Sequence, residues 1–209
     1  MAKLSRAAAA QAELERLAEE AAGCQACDLW RNATQTVFGE GPADARIFLV
    51  GEQPGDQEDR AGEPFVGPAG RILDRALTDA GLQRDDAYLT NAVKHFKWTA
   101  KGKRRIHQRP SHGEVVACDR WLSAELDIVD PAVIVALGAT AGQALFGSRF
   151  RVGEARGQVL DHDGRPVIAT IHPSAVLRVQ EPADRDDTYA GLVADLRRAV
   201  ELVAARRAG

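Results

Sequence analysis

The chain has 209 residues, of which 45% are hydrophobic and 27% are charged, and its formal net charge is −3. This length fits one domain with a substantial core, and the composition is ordinary for a globular protein. No apolar run approaches the roughly 18–20 residues of a membrane span, and the Ala- and Glu-rich N-terminal segment lacks a secretory pattern, so we expect a cytoplasmic protein without a membrane partner.

A helix and a pair of cysteines open the chain. Helical spacing of Leu and Ala predicts a helix over about residues 5–22, and Gly23 ends it just before Cys24 and Cys27. With Cys118 the chain has three cysteines, and an odd number in a cytoplasmic protein argues against a disulfide framework. The CxxC spacing brings two thiolates to one centre. It leaves open a zinc or iron–sulfur site that lacks one ligand, or three unrelated buried cysteines.

Apolar runs alternate with helical patterns along the rest of the chain. The runs at 47–50, 88–90, 133–137 and 167–170 are typical of buried strands, and a short run at 159–160 precedes the last of them across a polar turn. Helical patterns cover about 68–80, 114–129, 138–145 and 185–205. This alternation predicts a layered α/β domain with a mainly parallel sheet. With no linker or repeat, we expect a single domain over residues 1–209 and a monomer.

Three of the predicted strands end in polar residues that can carry chemistry. Glu52 and Gln53 follow the first strand, Asn91 ends the second and His172 follows the last. Because the carboxyl ends of parallel strands meet at one edge of a sheet, we expect these side chains to converge on one site. Each residue alone has a simpler explanation, such as capping a helix or holding a turn. A carboxylate, a carboxamide and an imidazole together favour catalysis.

The segment 97–109 contains six Lys and Arg residues and no acidic residue. Gly102 within it predicts a loop. Attraction to phosphate is local, since it is screened within about 8–10 Å, so a basic patch indicates nucleic acid despite the negative net charge. A solvated, flexible loop is the alternative interpretation.

Four segments together resemble the iron–sulfur uracil-DNA glycosylases. They are GEQPG at 51–55, GEPFVGPAG at 62–70, TNAVK at 90–94 and HPS at 172–174. The segment KRRIH at 103–107 is similar to an insertion that marks one subgroup, UdgX, whose members bind uracil-containing DNA irreversibly. The resemblance spans most of the chain. It implies a three-layer α/β/α sandwich with a central, mainly parallel sheet of about four strands.

Carried over by motif, the resemblance implies how the base is bound and released. Phe65 stacks on the extruded uracil, Asn91 hydrogen-bonds its polar edge, and His172 faces O2, where negative charge grows as the glycosidic bond breaks. Core packing is the alternative role for Phe65. The implied substrate-binding residues are Gly51, Gln53, Phe65, Asn91 and Arg105. The partner is uracil-containing DNA, with single strands accepted or preferred.

His107 ends the KRRIH segment and is the expected nucleophile. A neutral imidazole is competent near pH 7, since its ordinary pKa is about 6.5, and the neighbouring cations disfavour its protonation. Attack on C1′ of the sugar gives a protein–DNA link that no evident second step releases, while Glu52 orients or deprotonates the imidazole. The catalytic residues are thus His107, Glu52 and His172. On spacing alone His107 is a phosphate-contacting residue; a glycosylase that uses water and a non-catalytic DNA binder are the alternative functions.

The resemblance also implies a [4Fe–4S] cluster, which the related glycosylases hold with four cysteines. Their third cysteine follows the Asn-x-Val-Lys element, where this chain has His95, as UdgX-type proteins do. The implied ligands are therefore Cys24, Cys27, His95 and Cys118. A set of three cysteines and one histidine also suits structural zinc, and spacing alone does not separate the metals. We expect the cluster to be structural, without a part in bond cleavage.

Overall fold

Seven strands form two sheets in the computed structural model, which describes residues 6–208 of the chain. The strands are Ile47–Gly51 (β1), Ala87–Asn91 (β2), Trp98–Lys101 (β3), Arg104–His107 (β4), Val133–Leu137 (β5), Val159–His162 (β6) and Arg165–Thr170 (β7). The central sheet has the order β2-β1-β5-β7-β6, and β3 pairs with β4 in a separate sheet. Pairing in the central sheet is parallel except between β6 and β7.

Helices cover both faces of the central sheet. They are Arg6–Ala22 (α1), Asp56–Ala61 (α2), Pro68–Asp79 (α3), His112–Val129 (α4), Ala139–Phe146 (α5), Val152–Ala155 (α6), Ser174–Arg178 (α7) and Pro182–Ala208 (α8). Short 3-10 helices span Asp28–Arg31 and Arg84–Asp86. None of these helices is both long enough and apolar enough to cross a membrane.

Side chains of the parallel strands alternate between two apolar cores. In β1, Leu49 faces a core shared with α3 and α8, whereas Phe48 faces a core shared with α1 and α4. Strands β1, β2 and β5 are buried at every position, as expected where helices cover both faces of a parallel sheet. The predicted α/β/α sandwich is therefore confirmed. The sheet has five strands rather than about four, because β6 adds an antiparallel edge.

Most predicted elements agree with the structure to within a few residues. The first helix begins at Arg6 in the described part of the chain, and its predicted start at Ser5 lies outside that part. The last helix is longer than predicted, since it spans Pro182–Ala208. Helices α2, α6 and α7 are too short to show a periodic apolar pattern, so no helical spacing predicts them.

The basic segment is a β-hairpin, so the prediction of a loop there is wrong. Strands β3 and β4 pair antiparallel, with Lys101 opposite Arg104. Gly102 adopts a φ of +60° and, with Lys103, forms the two-residue turn that joins them. Both strands are largely exposed, so they lack the alternation of apolar residues that predicts a strand.

A buried ion pair joins the end of β2 to α4. The Nζ atom of Lys94 lies 2.5 Å from Oε2 of Glu125 and also donates to the carbonyl oxygen of Asn91 at 2.9 Å. Glu125 accepts further hydrogen bonds from the hydroxyl groups of Tyr88 and Thr90. Both charged side chains are almost completely withdrawn from water, so each depends on the other for compensation of its charge.

The variant Glu125→Gln should lower the free energy of unfolding by roughly 3–5 kcal/mol, because Lys94 then remains buried without a counter-charge. Glu20→Gln, which removes an exposed pair with Arg16, is the control and should cost at most about 0.5 kcal/mol. Urea unfolding of both variants measures the difference. A loss in Glu125→Gln as small as that of the control would contradict this role of the pair.

Candidate active site

The carboxyl ends of the parallel strands open into a cavity of about 830 Å³. The predicted site residues that line it are Glu52, Gln53, Phe65, Asn91, His107 and His172. The structure thus brings together side chains from five separate segments of the chain, at the edge of the sheet where ligands bind in such folds. Gly51 and Arg105 were also predicted for the site, but they are not part of this lining.

Gly51 allows two side chains of the cavity to approach each other. A Cβ atom at this position would lie 2.3 Å from Oδ1 of Asn91 and 2.5 Å from Cζ of Phe65. Because atoms in proteins do not approach so closely, only glycine permits this arrangement of carboxamide and aromatic ring. Gly51 therefore has a packing role, and its contact with substrate stays a prediction.

Phe65 has an unusual backbone conformation. Its φ is +57°, which bulky residues rarely adopt. Arg84 holds this segment, since its guanidinium donates to the carbonyl oxygens of Pro64 at 2.7 Å and Phe65 at 3.3 Å. The centroid of the phenyl ring lies 6.3 Å from that of the His172 imidazole. Backbone strain of this kind clusters at functional sites, and the ring lines the cavity as well as contacting the core.

Hydrogen bonds determine the tautomer of His172. The backbone N–H of Ser174 donates to Nδ1 at 3.2 Å, so the ring proton lies on Nε2. The Ser174 hydroxyl is 2.8 Å from the same nitrogen and accepts a hydrogen bond from Arg178. Burial lowers the pKa of His172 to about 4, and Arg178 and His107 contribute to the shift. His172 is therefore a neutral N–H donor at pH 7.

His107 and Glu52 lie beside each other in the cavity. The Nε2 atom of the half-exposed imidazole is 3.4 Å from Oε1 of the carboxylate. Burial lowers the pKa of His107 below its usual value, the charge of Glu52 opposes this shift, and Arg178 adds to it. Burial and Arg178, rather than the neighbouring Lys103 and Arg104, thus favour the neutral imidazole.

The side chain of Gln53 holds the base of the hairpin. Its Nε2 atom donates to the carbonyl oxygens of Lys97 at 3.2 Å and Gln108 at 3.0 Å, and its Oε1 atom accepts from the N–H of Lys97. Lys97 and Gln108 flank β3 and β4, so one amide fixes both ends of the hairpin. Binding of the substrate by Gln53 stays a prediction.

Arg105 attaches the hairpin to α2. Its guanidinium pairs with Asp56 and, at 2.5 Å, with the buried Asp59. It also lies over the rings of Phe96 and Trp98, at 5.3 and 5.5 Å from their centroids. The structure therefore gives Arg105 the role of an anchor for the strand that carries His107. Direct binding of DNA by Arg105 stays a prediction.

The cavity is also lined by residues that were not predicted for the site, among them Arg109, Thr140 and Arg178. The Thr140 hydroxyl donates to Oε2 of Glu52, and Nε of Arg109 lies 3.9 Å from the same oxygen. Thr140 lies three residues after the carboxyl end of β5. Its position at the sheet edge was therefore as predictable as that of the other residues at the strand ends. Arg178 lies in α7, which no sequence pattern predicts.

The three cysteines lie in one apolar cluster beneath α1 and α4, with Val93 and Trp121 among its members. None of the three is part of a disulfide bond. The indole N–H of Trp121 donates to Cys24 Sγ at 3.3 Å, and the backbone N–H of Lys94 donates to Cys118 Sγ at 3.2 Å.

Burial favours the protonated form of Cys118, and the predicted ligands do not form a complete set. Burial raises the pKa of Cys118 to about 11 although Lys94 opposes the shift, so metal binding would have to displace its proton. Burial lowers the pKa of His95, although the negative charge of Asp59 opposes this shift. Within residues 6–208, no group of three or more His, Cys, Asp or Glu side chains is arranged to hold a metal ion.

Comparison with known proteins assigns this chain to a class of enzymes. Residues 38–197 match the uracil DNA glycosylase superfamily, and the chain belongs to that superfamily. Its relatives include type-4 uracil-DNA glycosylases. That of Thermotoga maritima is 41% identical over 167 residues, which are 79% of this chain and 83% of the relative.

Two archaeal proteins give the same result. The type-4 uracil-DNA glycosylase of Sulfurisphaera tokodaii is 36% identical over 173 residues, which cover 78% of this chain and 76% of the relative. That of Archaeoglobus fulgidus is 37% identical over 172 residues, which cover 78% of this chain and 83% of the relative. The superfamily and these relatives support uracil-DNA glycosylase activity.

The lowered pKa of His172 predicts a pH-dependent contribution to stability. The unfolded chain takes up a proton on this residue near pH 6.5, whereas the folded protein does so only near pH 4. The free energy of unfolding should therefore fall as the pH drops from 6.5 to 4, and it should fall less in His172→Gln. Urea unfolding at several pH values measures this, with the exposed His112→Gln as the control. Equal slopes in wild type and His172→Gln would refute the assignment.

Proposed function

We propose that this protein is a UdgX-type enzyme, which excises uracil from DNA and then becomes covalently bonded through His107 to C1′ of the sugar. The observation that carries the proposal is the position of His107. A hairpin anchored to the sheet edge holds its imidazole 3.4 Å from Glu52, in the same cavity as Phe65, Asn91 and His172. An ordinary glycosylase needs no second histidine at the sugar, since water is its nucleophile.

In the proposed reaction, the extruded uracil enters the cavity that Phe65 and Asn91 line. Stacking on an aromatic ring contributes roughly 1–3 kcal/mol and offsets the cost of extrusion. As the C1′–N1 bond breaks, its electron pair leaves with the base, and negative charge develops at O2. The Nε2–H group of neutral His172 donates to this oxygen, which stabilises the transition state more than the substrate.

The position of His107 beside Glu52 supports capture of the sugar by its imidazole. The ring nitrogen with the lone pair attacks the electron-poor C1′, so that a nitrogen–carbon bond replaces the broken bond to uracil. The imidazolium formed then loses its N–H proton, which Glu52 is close enough to accept.

We propose that the other substrate contacts are made by Gly51, Gln53 and Arg105. The substrate is uracil-containing DNA, single strands included, and one domain over residues 1–209 acts as a monomer.

The variant His107→Ala should abolish the covalent adduct but continue to release uracil, because water can replace the imidazole. The test is incubation with uracil-containing single-stranded DNA, followed by a denaturing gel for the adduct and quantification of free uracil. Wild type should give a band that resists heat and detergent, with the sugar on the peptide that contains residue 107.

The exposed His112→Ala is the matched control and should form the adduct as wild type does. Survival of the adduct in His107→Ala would show that another residue bonds the sugar. Cleavable abasic DNA without any adduct in wild type would instead identify a conventional, multiple-turnover glycosylase. Retention of DNA without release of uracil would identify a non-catalytic binder.

We further propose that Cys24, Cys27, His95 and Cys118 hold a [4Fe–4S] cluster. The shared apolar surroundings of the three thiols and the N–H donors to Cys24 and Cys118 support the three cysteines as ligands, because such donors stabilise thiolate sulfur. His95 is included because of its position in the motif. When bound, the cluster would cross-link the end of α1, the segment after β2, and α4. It would take no part in the cleavage of the glycosidic bond.

If the proposed cluster is bound, the purified protein should be brown and should contain iron. Cys118→Ser and His95→Ala should lose iron and the broad visible absorption, whereas His95→Cys, with the ligand type of the related glycosylases, should retain both. Metal analysis of anaerobically purified protein and visible spectra measure this. Colourless protein with one equivalent of zinc would refute the iron assignment, and full iron content in His95→Ala would remove His95 from the ligand set.

A further inference from the structure

The two oxygens of the Glu52 carboxylate have different partners. Oε1 lies 3.4 Å from Nε2 of His107. Oε2 accepts a hydrogen bond from the hydroxyl of Thr140, and Nε of Arg109 is 3.9 Å away. One oxygen is thus turned toward the proposed nucleophile, while the other is bound by a neighbouring side chain.

The direction of the hydrogen bond from Thr140 is fixed by Arg109. The Nε–H group of Arg109 donates to Oγ1 of Thr140 at 3.3 Å, and its Nη2 donates to Gln143 at 2.9 Å. A hydroxyl has one proton, so a hydroxyl oxygen that accepts from a guanidinium is free to donate that proton to the carboxylate. Thr140 is only 2% exposed, so water does not readily take over this role.

We propose that Thr140 is a positioning residue, which holds Glu52 with Oε1 toward His107 and so directs the reaction to the covalent adduct rather than to free abasic DNA. This inference rests on the proposed function. Rotation about the last torsion of a glutamate is weakly restricted. Without the hydroxyl, the carboxylate can turn toward Arg109, whose charge attracts it, and His107 then loses the acceptor that orients it and takes its proton.

The hydrogen bonds of the Thr140 hydroxyl separate this role from helix stability. Its hydrogen bonds are to Glu52 and Arg109, and neither is to the backbone of α5. The change Thr140→Val therefore replaces the hydroxyl by a methyl group of similar size and alters the site without removing a cap of the helix.

The experiment compares Thr140→Val, Thr140→Ser and wild type in single-turnover reactions with saturating uracil-containing single-stranded DNA. The rates of adduct formation and uracil release are measured separately. Thr140→Val should slow adduct formation roughly 10- to 100-fold, which corresponds to the loss of one hydrogen bond to a charged group. Uracil release should slow less, so that free abasic DNA accumulates. Thr140→Ser should restore adduct formation to within about threefold.

The pH dependence of adduct formation is a second test, because a purely structural role of Thr140 would leave it unchanged. The charge of Glu52 raises the pKa of His107 against the effect of burial. If the carboxylate turns away in Thr140→Val, the pH at which adduct formation is half-maximal should shift downward, and Thr140→Ser should reverse the shift. Thr78→Val, which removes an exposed hydroxyl bonded to its own helix, is the control and should match wild type.

The outcomes distinguish this inference from the function on which it rests. Absence of an adduct in wild type overturns both. An adduct in wild type with an unchanged ratio of adduct to abasic product in Thr140→Val overturns the role of Thr140 alone. Equal loss of adduct and uracil release in a Thr140→Val protein with wild-type unfolding also overturns it, because Glu52 would then act on excision rather than on capture.

Discussion

The bonds from Gln53 to the hairpin are the interaction on which the arrangement of the site depends. One side-chain amide, rooted in the segment after β1, satisfies backbone groups of both Lys97 and Gln108. The residue before it is Glu52, so the carboxylate and the hairpin that carries His107 are fixed to the same short segment. The pair of Arg105 with Asp59 secures the hairpin from the other side. An exposed two-stranded sheet, which alone is marginally stable, thereby becomes a rigid support.

Electrostatics around the cavity favour neutral imidazoles. Burial and the charge of Arg178 lower the pKa of both His107 and His172, although Glu52 opposes the shift at His107. In the proposed reaction, neutrality would serve a different purpose in each residue. Only a neutral imidazole has a lone pair with which His107 could attack carbon, while His172 would donate its Nε2 proton in a fixed direction. The hydrogen bond from the backbone N–H of Ser174 to Nδ1 of His172 sets that direction.

Local sequence patterns predicted those residues of the site that lie at the carboxyl ends of the parallel strands. Runs such as 133–137 are buried on both faces, so they are recognisable as parallel strands, and the residues that follow them must lie at one edge. The hairpin was not predictable in this way, because its strands face solvent and Arg105 is held by Asp59, 46 positions away. Thr140 could have been found from the end of β5. The strained φ of Phe65 was not predictable from local sequence, because the residue that holds this segment, Arg84, is 19 positions away.

The same rigidity explains why the proposed reaction would stop after one turnover. A nucleophile that is held near its target can reach effective molarities of about 10⁵–10⁸ M, far above the concentration of water. In the proposed reaction, His107 would gain this advantage from the contacts of the hairpin with Gln53 and of Arg105 with Asp59, which hold it beside Glu52. In the proposed adduct, the bonded imidazole and the anchored hairpin would hinder a second nucleophile from reaching C1′. Efficient capture and slow release would therefore both be consequences of one structural feature, the anchoring of the hairpin.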